Sequence, residues 1–290
     1  MTMNRRRFLG QCSAFGLVGS GLVSITSAIA QTASTIPKVL KVGVANELPY
    51  SFLDPQGVLS GQSFEVLRGA LGDAGVEKFE GLLTDFVALI PGLNARRFDV
   101  VCTGMFIRPA RCEQIAFGDI DSMGRIGLIV PAGNPKKLTG FADFLRNPNL
   151  RLAYIRGSVV DNYAKAEKVP ESQLVVLPDF TTLLAAIKGD RADAAMGGYI
   201  ILSATLKKVN DPALMLSDKY VDVVVNGKPV IDYAAMGFRK EDNALREAYN
   251  RGLAKLIASG KLIEINKKWG IPESLTATAA TPRPEEICRG

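Results

Sequence analysis

The chain has 290 residues, 47% of them hydrophobic and 22% charged, so it can bury a substantial core and its length favours two lobes over one. It contains no histidine, which removes Ser-His-Asp and Cys-His catalytic arrangements and every histidine-based zinc site. The formal charge of +6 includes Arg5, Arg6 and Arg7 in a leader without acidic residues; taking those three from 35 basic residues, against 29 acidic ones, leaves +3. That is too mild to argue for nucleic acid, and no basic run carries interleaved aromatics.

Residues 1–30 read as an export signal. NRRRFLG at 4–10 precedes a modestly apolar, Gly/Ser-rich stretch, and Ala28-Ile29-Ala30 supplies a small-x-small cleavage site, with cleavage expected after Ala30. The order Arg5-Arg6-Arg7-Phe8-Leu9 resembles a twin-arginine signal, whose passengers cross the membrane already folded. The apolar stretch is too short and glycine-rich for a span of about 20 residues.

A β-branched strand over 39–44 opens the remaining chain, and 45–52 is the loop leaving its carboxyl end. Phe64, Leu67, Leu71 and Ala74 recur at helical spacing. A strand near 79–83 and a helix containing Leu89, Ile90 and Leu93, with Pro91 near its first turn, complete two β–α units. The apolar run 98–102 is the next strand, and Pro109 suits a first helical position, which puts Arg111 in the first turn just beyond that strand. Open α/β sheets hold ligands there. A second series follows: strand from 127, helix 141–146, strand 150–155, helix from 157 to 168, strand 174–177, helix 181–188, strand 192–196 and helix 199–208. A strand at 233–238 leads into a helix over 239–259, with Leu245, Tyr249, Gly252, Leu253, Leu256 and Ile257 on one face. The Thr/Ala/Pro-rich tail 273–290 reads as frayed. Alternation on this scale implies α/β architecture with mostly parallel sheets.

Beyond Cys12 in the leader, Cys102, Cys112 and Cys288 form an odd set with no CxxC pair, so no zinc site and at most one disulfide is expected. Either Cys102 and Cys112 pair, or both are buried and reduced; Cys288 in its polar tail reads as a free thiol. No metal and no cofactor is implied.

The run from Gly104 to Asp119 reads G-M-x-I-x-P-x-R-x-E-Q-x-x-F-x-D, which closely resembles the signature of family 3 periplasmic solute-binding proteins, the receptors of polar amino-acid ABC importers. The resemblance covers nearly the whole mature chain. It implies a type II two-lobed periplasmic-binding-protein fold: lobe 1 from 37–126 and 234–272, lobe 2 from 127–233, each a mostly parallel sheet flanked by helices. Two crossing strands near 125–130 and 231–237 would form the hinge. It further implies a monomeric periplasmic receptor that binds a small zwitterionic ligand, docks to an ABC permease in the inner membrane and has no nucleic-acid partner. Two departures touch the site: Arg108 stands where the family usually has Thr, and 118–121 replaces Ser-Asp-Pro-Tyr.

By this resemblance Arg111 clamps a ligand carboxylate. In the loop Glu47-Leu48-Pro49-Tyr50-Ser51-Phe52, the Glu47 carboxylate is suited to a ligand cation, while Tyr50 and Phe52 either wall the ligand or pack in the core. Phe106 and Arg108 flank the clamp. Arg108 occupies an N-cap position it cannot serve, and either adds a second cation or points into solvent. Gly157 and Ser158, at a strand-to-helix junction, offer backbone N–H groups and a hydroxyl to an anion. The segment from Asp193 resembles the family's D-A-x-x-x-D, whose second Asp takes an α-ammonium, but that position is Gly198. With NELPYSF, GVEKFEGLLTDF, LIPGL and GFRKED, this resembles the ectoine/hydroxyectoine-binding branch, implying one of those solutes or a polar amino acid. The fold also resembles periplasmic cyclohexadienyl dehydratases, in which reading Glu47 or Asp119 would act as an acid after desolvation.

Overall fold

The computed structural model describes residues 36–225 and 228–289, so the export signal read at 1–30 lies outside the described residues. Two five-stranded sheets carry the two lobes. In the first, Val39–Val44 pairs in parallel with Lys78–Leu83 on one side and Val100–Val101 on the other. Gly237–Phe238 follows as an antiparallel strand, and Ala116–Phe117 forms the edge. The second sheet repeats this plan. Leu152–Ile155 lies between Leu174–Leu177 and Ala194–Gly198, both parallel to it. Ile126–Pro131 runs antiparallel beside Ala194–Gly198, with Leu214–Leu216 at the edge. In each sheet the opposing strand is the one the chain enters directly from the other lobe, so it arrives pointing the wrong way for a crossover connection.

The short pair Ser122–Gly124 and Asp232–Ala234 makes those two passages, antiparallel, with Tyr233 opposite Met123. This places the crossing pair a few residues from the stretch 125–130 read from the sequence; Ile126–Pro131 belongs wholly to the second sheet. The strand expected over 233–238 divides because its halves have different partners: Asp232–Ala234 bonds Ser122–Gly124, and Gly237–Phe238 bonds Val100–Val101 and Ala116–Phe117.

Alternate residues of the second sheet bury in different clusters, as the two-residue period of a strand requires. Leu152 and Tyr154 join Leu128, Val130 and Met196, whereas Ala153 and Ile155 join Ile129, Ala195 and Leu183. The strand expected over 98–102 shortens to Val100–Val101 because Phe98 turns inward, its ring filling the space a Cβ would occupy at both Gly43 and Gly92. Helix Asn243–Ala258 buries its predicted stripe against helix Gln62–Leu71, and Gly252 allows the approach: a Cβ there would lie 1.8 Å from the Ala70 carbonyl oxygen.

The tail corrects two expectations. Leu275, Thr276 and Ala277 are buried, Thr276 bridges Ser122, and the Ala277 N–H donates to the Asp121 carbonyl at 3.4 Å. A short helix, Pro284–Cys288, ends the described chain, and Cys288 is disulfide-bonded to Cys112 across 176 residues. Cys102 is instead a fully buried free thiol in the core of the first sheet, while Cys112 is bonded to Cys288. Among the described residues no helix is long and apolar enough to cross a membrane.

Candidate functional site

The carboxyl ends of four parallel strands converge on one cavity between the sheets. Glu47 follows Val39–Val44, Phe106 and Arg111 follow Val100–Val101, Ser158 follows Leu152–Ile155, and Gly198 ends Ala194–Gly198. The cavity encloses about 40 Å³ and is lined by these residues together with Phe86, Gly104, Ile155, Val159, Val160, Phe180, Met196, Gly197 and Ile201. That is room for one or two water molecules. Its walls are apolar except for one carboxyl, one guanidinium and one hydroxyl.

Glu47 is 5% exposed. Its loop is held to the neighbouring strand end: Ser51 Oγ donates to the Cys102 carbonyl and Thr103 Oγ1 donates to Glu47 Oε2. Burial pushes the Glu47 carboxyl up to about 7, against the opposing effects of the Thr103 hydroxyl and the Arg111 charge. The carboxyl therefore changes protonation near neutrality.

Arg111 sits on the one-turn helix Pro109–Cys112, which starts at the expected proline. Its Nη1 donates to the Phe106 carbonyl at 2.5 Å and its Nη2 to the Gly157 carbonyl at 2.9 Å, while the guanidinium lies 5.3 Å from the Phe86 ring centroid. Burial, then the charge of Arg108, lowers it to about 10, so it remains a cation at neutral pH. No carboxylate pairs with it among the described residues, and several of its five N–H donors are left for a ligand.

The remaining sequence candidates divide. Phe106 lines the cavity, its ring set close over Gly124, where a Cβ would lie 2.6 Å away. Tyr50 is 1% exposed but is buried in a cluster with Ile200, Ile201, Ile271 and Leu275, not in the cavity lining. Phe52 stands against Trp269, with ring centroids 6.0 Å apart, outside the cavity. Tyr50 satisfies the core-packing alternative, whereas Phe52, half-buried, lines a separate surface cavity with Phe180 and Leu184. Arg108 neither enters the cavity nor faces solvent: it is ion-paired to Asp232, donates to Tyr163 Oη at 2.6 Å, and lies 5.4 Å from that ring's centroid. The expected anion cradle at 157–158 is occupied. Gly157, at φ +74°, donates its N–H to Asp161 Oδ2, and the Ser158 N–H bonds the Ile155 carbonyl, so helix Val160–Ala166 begins later than expected. Only Ser158 Oγ remains, buried and without a partner.

Asp119 lies elsewhere, in a surface cavity with Thr278, Pro282 and Arg283, which removes it as an acid for this cleft. Sequence reasoning missed Phe86, Phe180 and Met196. Phe180 is signalled only by Asp179, whose carboxylate caps its helix by accepting from the Thr182 N–H. No local pattern distinguishes a cleft ring from a core ring.

Two sheet-bearing lobes joined by a crossing strand pair, with a charged pocket at their facing strand ends, define a type II periplasmic-binding fold. The chain belongs to the bacterial extracellular solute-binding proteins, family 3, which it matches over residues 40–272. It is 30% identical over 241 residues to a probable amino-acid ABC transporter periplasmic-binding protein, y4tE, of Sinorhizobium fredii, covering 82% of this chain and 79% of that one. It is 25% identical over 250 residues to the lysine/arginine/ornithine-binding periplasmic protein of Escherichia coli, covering 86% and 93%. Among solved structures, EhuB in complex with hydroxyectoine is similar at a TM-score of 0.76 and 26% identity, covering 87% of this chain and 94% of that one. Binding proteins of ABC importers for amino acids are thus its relatives, and solute binding is its class of function.

Proposed function

We propose that the protein is a monomeric periplasmic receptor whose lobes, 37–126 with 234–272 and 127–233, close around a small zwitterion with one carboxylate and one delocalised positive charge. Ectoine and hydroxyectoine fit this description; the closed complex then docks to an ABC permease. The observation that carries the proposal is the placement of buried Glu47 and Arg111, unpaired with each other, in an otherwise apolar, phenylalanine-walled cavity.

An α-ammonium is compact and strongly hydrated, and needs several acceptors when buried. Gly198 supplies no carboxylate, although a Cβ there would find nothing nearer than 3.7 Å. A ring amidinium spreads its charge, stacks on Phe86 or Phe106, and needs Glu47 alone. Arg108, held by Asp232 and Tyr163, leaves Arg111 to receive a carboxylate, with Ser158 Oγ beside it. A cavity of about 40 Å³ is too small for such a solute unless the rings and lobes move apart, in keeping with hinge closure.

A thermal-shift screen of the mature protein tests this. Ectoine and hydroxyectoine should raise Tm more than glutamate, glutamine, arginine or lysine, and Arg111→Ala should abolish the shift while leaving the ligand-free Tm nearly unchanged. A larger shift from a standard amino acid rejects the ligand class.

A further inference from the structure

Cys112 adjoins Arg111 on the four-residue helix Pro109–Cys112, and the disulfide joins that helix to Pro284–Cys288. So short a helix does not hold itself, because a first turn fixes several residues for one hydrogen bond. It is held from outside, and the holds differ in kind. Arg108 reaches Tyr163 and Arg111 reaches the Gly157 carbonyl, both on the side of the second sheet, so these bonds last only while the lobes are together, whereas the Arg108–Asp232 ion pair ties the helix to the crossing strand and Lys240 Nζ donates to the Glu113 carbonyl just after it. The disulfide acts from the other side: Cys112, Ile287 and Cys288 all pack on the core of the first sheet. It survives separation of the lobes.

The segment carrying Cys288 is itself anchored. Thr276 bridges the crossing strand Ser122–Gly124 and accepts from Asn266 Nδ2 at 3.0 Å, while Pro284 is buried at the start of the last helix. Residues 273–289 therefore link the crossing strands to the helix that bears the ligand arginine, and they lie beyond the residues of the family match.

We propose that residues 273–289 form a covalent strap that positions Arg111 in the ligand-free protein, so that solute affinity depends on the Cys112–Cys288 bond. The effect on affinity rests on the receptor reading above; the ordering of the helix does not. Both cysteines line a shallow surface cavity of about 320 Å³, so a small dithiol can reach them. Reduction by dithiothreitol breaks the S–S bond, transfers two electrons and two protons to give two cysteine thiols, and leaves the reagent as its cyclic disulfide. Cys102, fully buried, stays out of this exchange.

Amide hydrogen exchange on ligand-free protein, oxidised, reduced with dithiothreitol, and as Cys288→Ser, tests the strap. Exchange in peptides spanning 108–115 should rise at least tenfold in both altered forms while the sheet strands keep their rates; unchanged exchange there overturns the proposal. Calorimetry with hydroxyectoine should show affinity at least tenfold weaker in both forms. By reciprocity, saturating hydroxyectoine should make the bond harder to reduce, by about 30 mV for each tenfold in affinity. A potential indifferent to hydroxyectoine, with hydroxyectoine bound, reduces the disulfide to a purely structural role and contradicts the proposal. If hydroxyectoine gives no heat with oxidised protein, the ligand assignment fails, and the exchange result alone decides the strap.

Discussion

Arg108 and Asp232 form an ion pair that ties the clamp helix to a crossing strand, and Tyr163 of the second lobe closes the group by donating to the same Asp232 oxygen at 2.6 Å. Asp232 is 1% exposed, so it depends on these two partners. Removing one side of a buried pair leaves the other charge uncompensated, which costs about 3–5 kcal/mol. Arg108→Met should therefore lower the unfolding free energy by about 3 kcal/mol in urea titrations, and adding Asp232→Asn should restore most of the loss. A single-variant loss below about 1 kcal/mol contradicts the assignment.

Glu47 makes stability and binding depend on pH in opposite directions. Its carboxyl sits at about 7 in the folded protein against an ordinary value of 4.5. Its folded pKa is raised, so its contribution is fully present below pH 4.5 and is lost as pH rises through 7. The carboxylate then costs about 3 kcal/mol. Glu47→Gln should match wild-type stability near pH 4.5 and exceed it by up to that amount at pH 8, without ligand. A cationic ligand prefers the ionised form, so wild-type affinity should rise between pH 6 and 8. The Gln variant should show no such rise, and parallel profiles for the two proteins would count against Glu47 as the cation acceptor.

Gly252 tests the packing of the first lobe. A methyl group 1.8 Å from the Ala70 carbonyl oxygen must push two helices apart. Gly252→Ala should destabilise by about 3 kcal/mol. Gly72→Ala is the control: its φ of −55° is ordinary and the nearest atom to a new Cβ lies 3.5 Å away, so chemical denaturation should show no loss.

Much of this was legible in the sequence, and the rest fails for physical reasons. Helix and strand positions follow from local apolar periodicity, which is why 141–146 and 174–177 appear where expected. Arg111 and Glu47 were visible because strand ends and loop charge are local features. The destinations of Arg108, Tyr50 and Cys288 were not, because each is set by a partner more than 50 residues away: Asp232, Ile201 and Cys112. The tail looked frayed because its composition is polar, while three residues, Leu275 to Ala277, and one sulfur tie it down.

Catalysis on the same fold provides a contrasting outcome. Glu47 has the acidity of a general acid, and loss of water and CO2 from an acidic substrate needs one acid and no base, but the carboxyl is assigned to a ligand cation and the chain's relatives are binding proteins. Incubation with prephenate or arogenate should release no aromatic product. Sustained turnover on the order of one per second would make the protein an enzyme.

Calorimetric titration of the mature protein and Glu47→Gln with ectoine, hydroxyectoine, glutamate, glutamine and arginine at pH 8 measures whether Glu47 and Arg111 together select a zwitterion with a diffuse cation. A cyclic solute should bind tightest, and the Gln variant should lose at least tenfold in affinity, about 1.4 kcal/mol. Tightest binding of a standard amino acid, or a Gln variant indistinguishable from wild type, would contradict that selection.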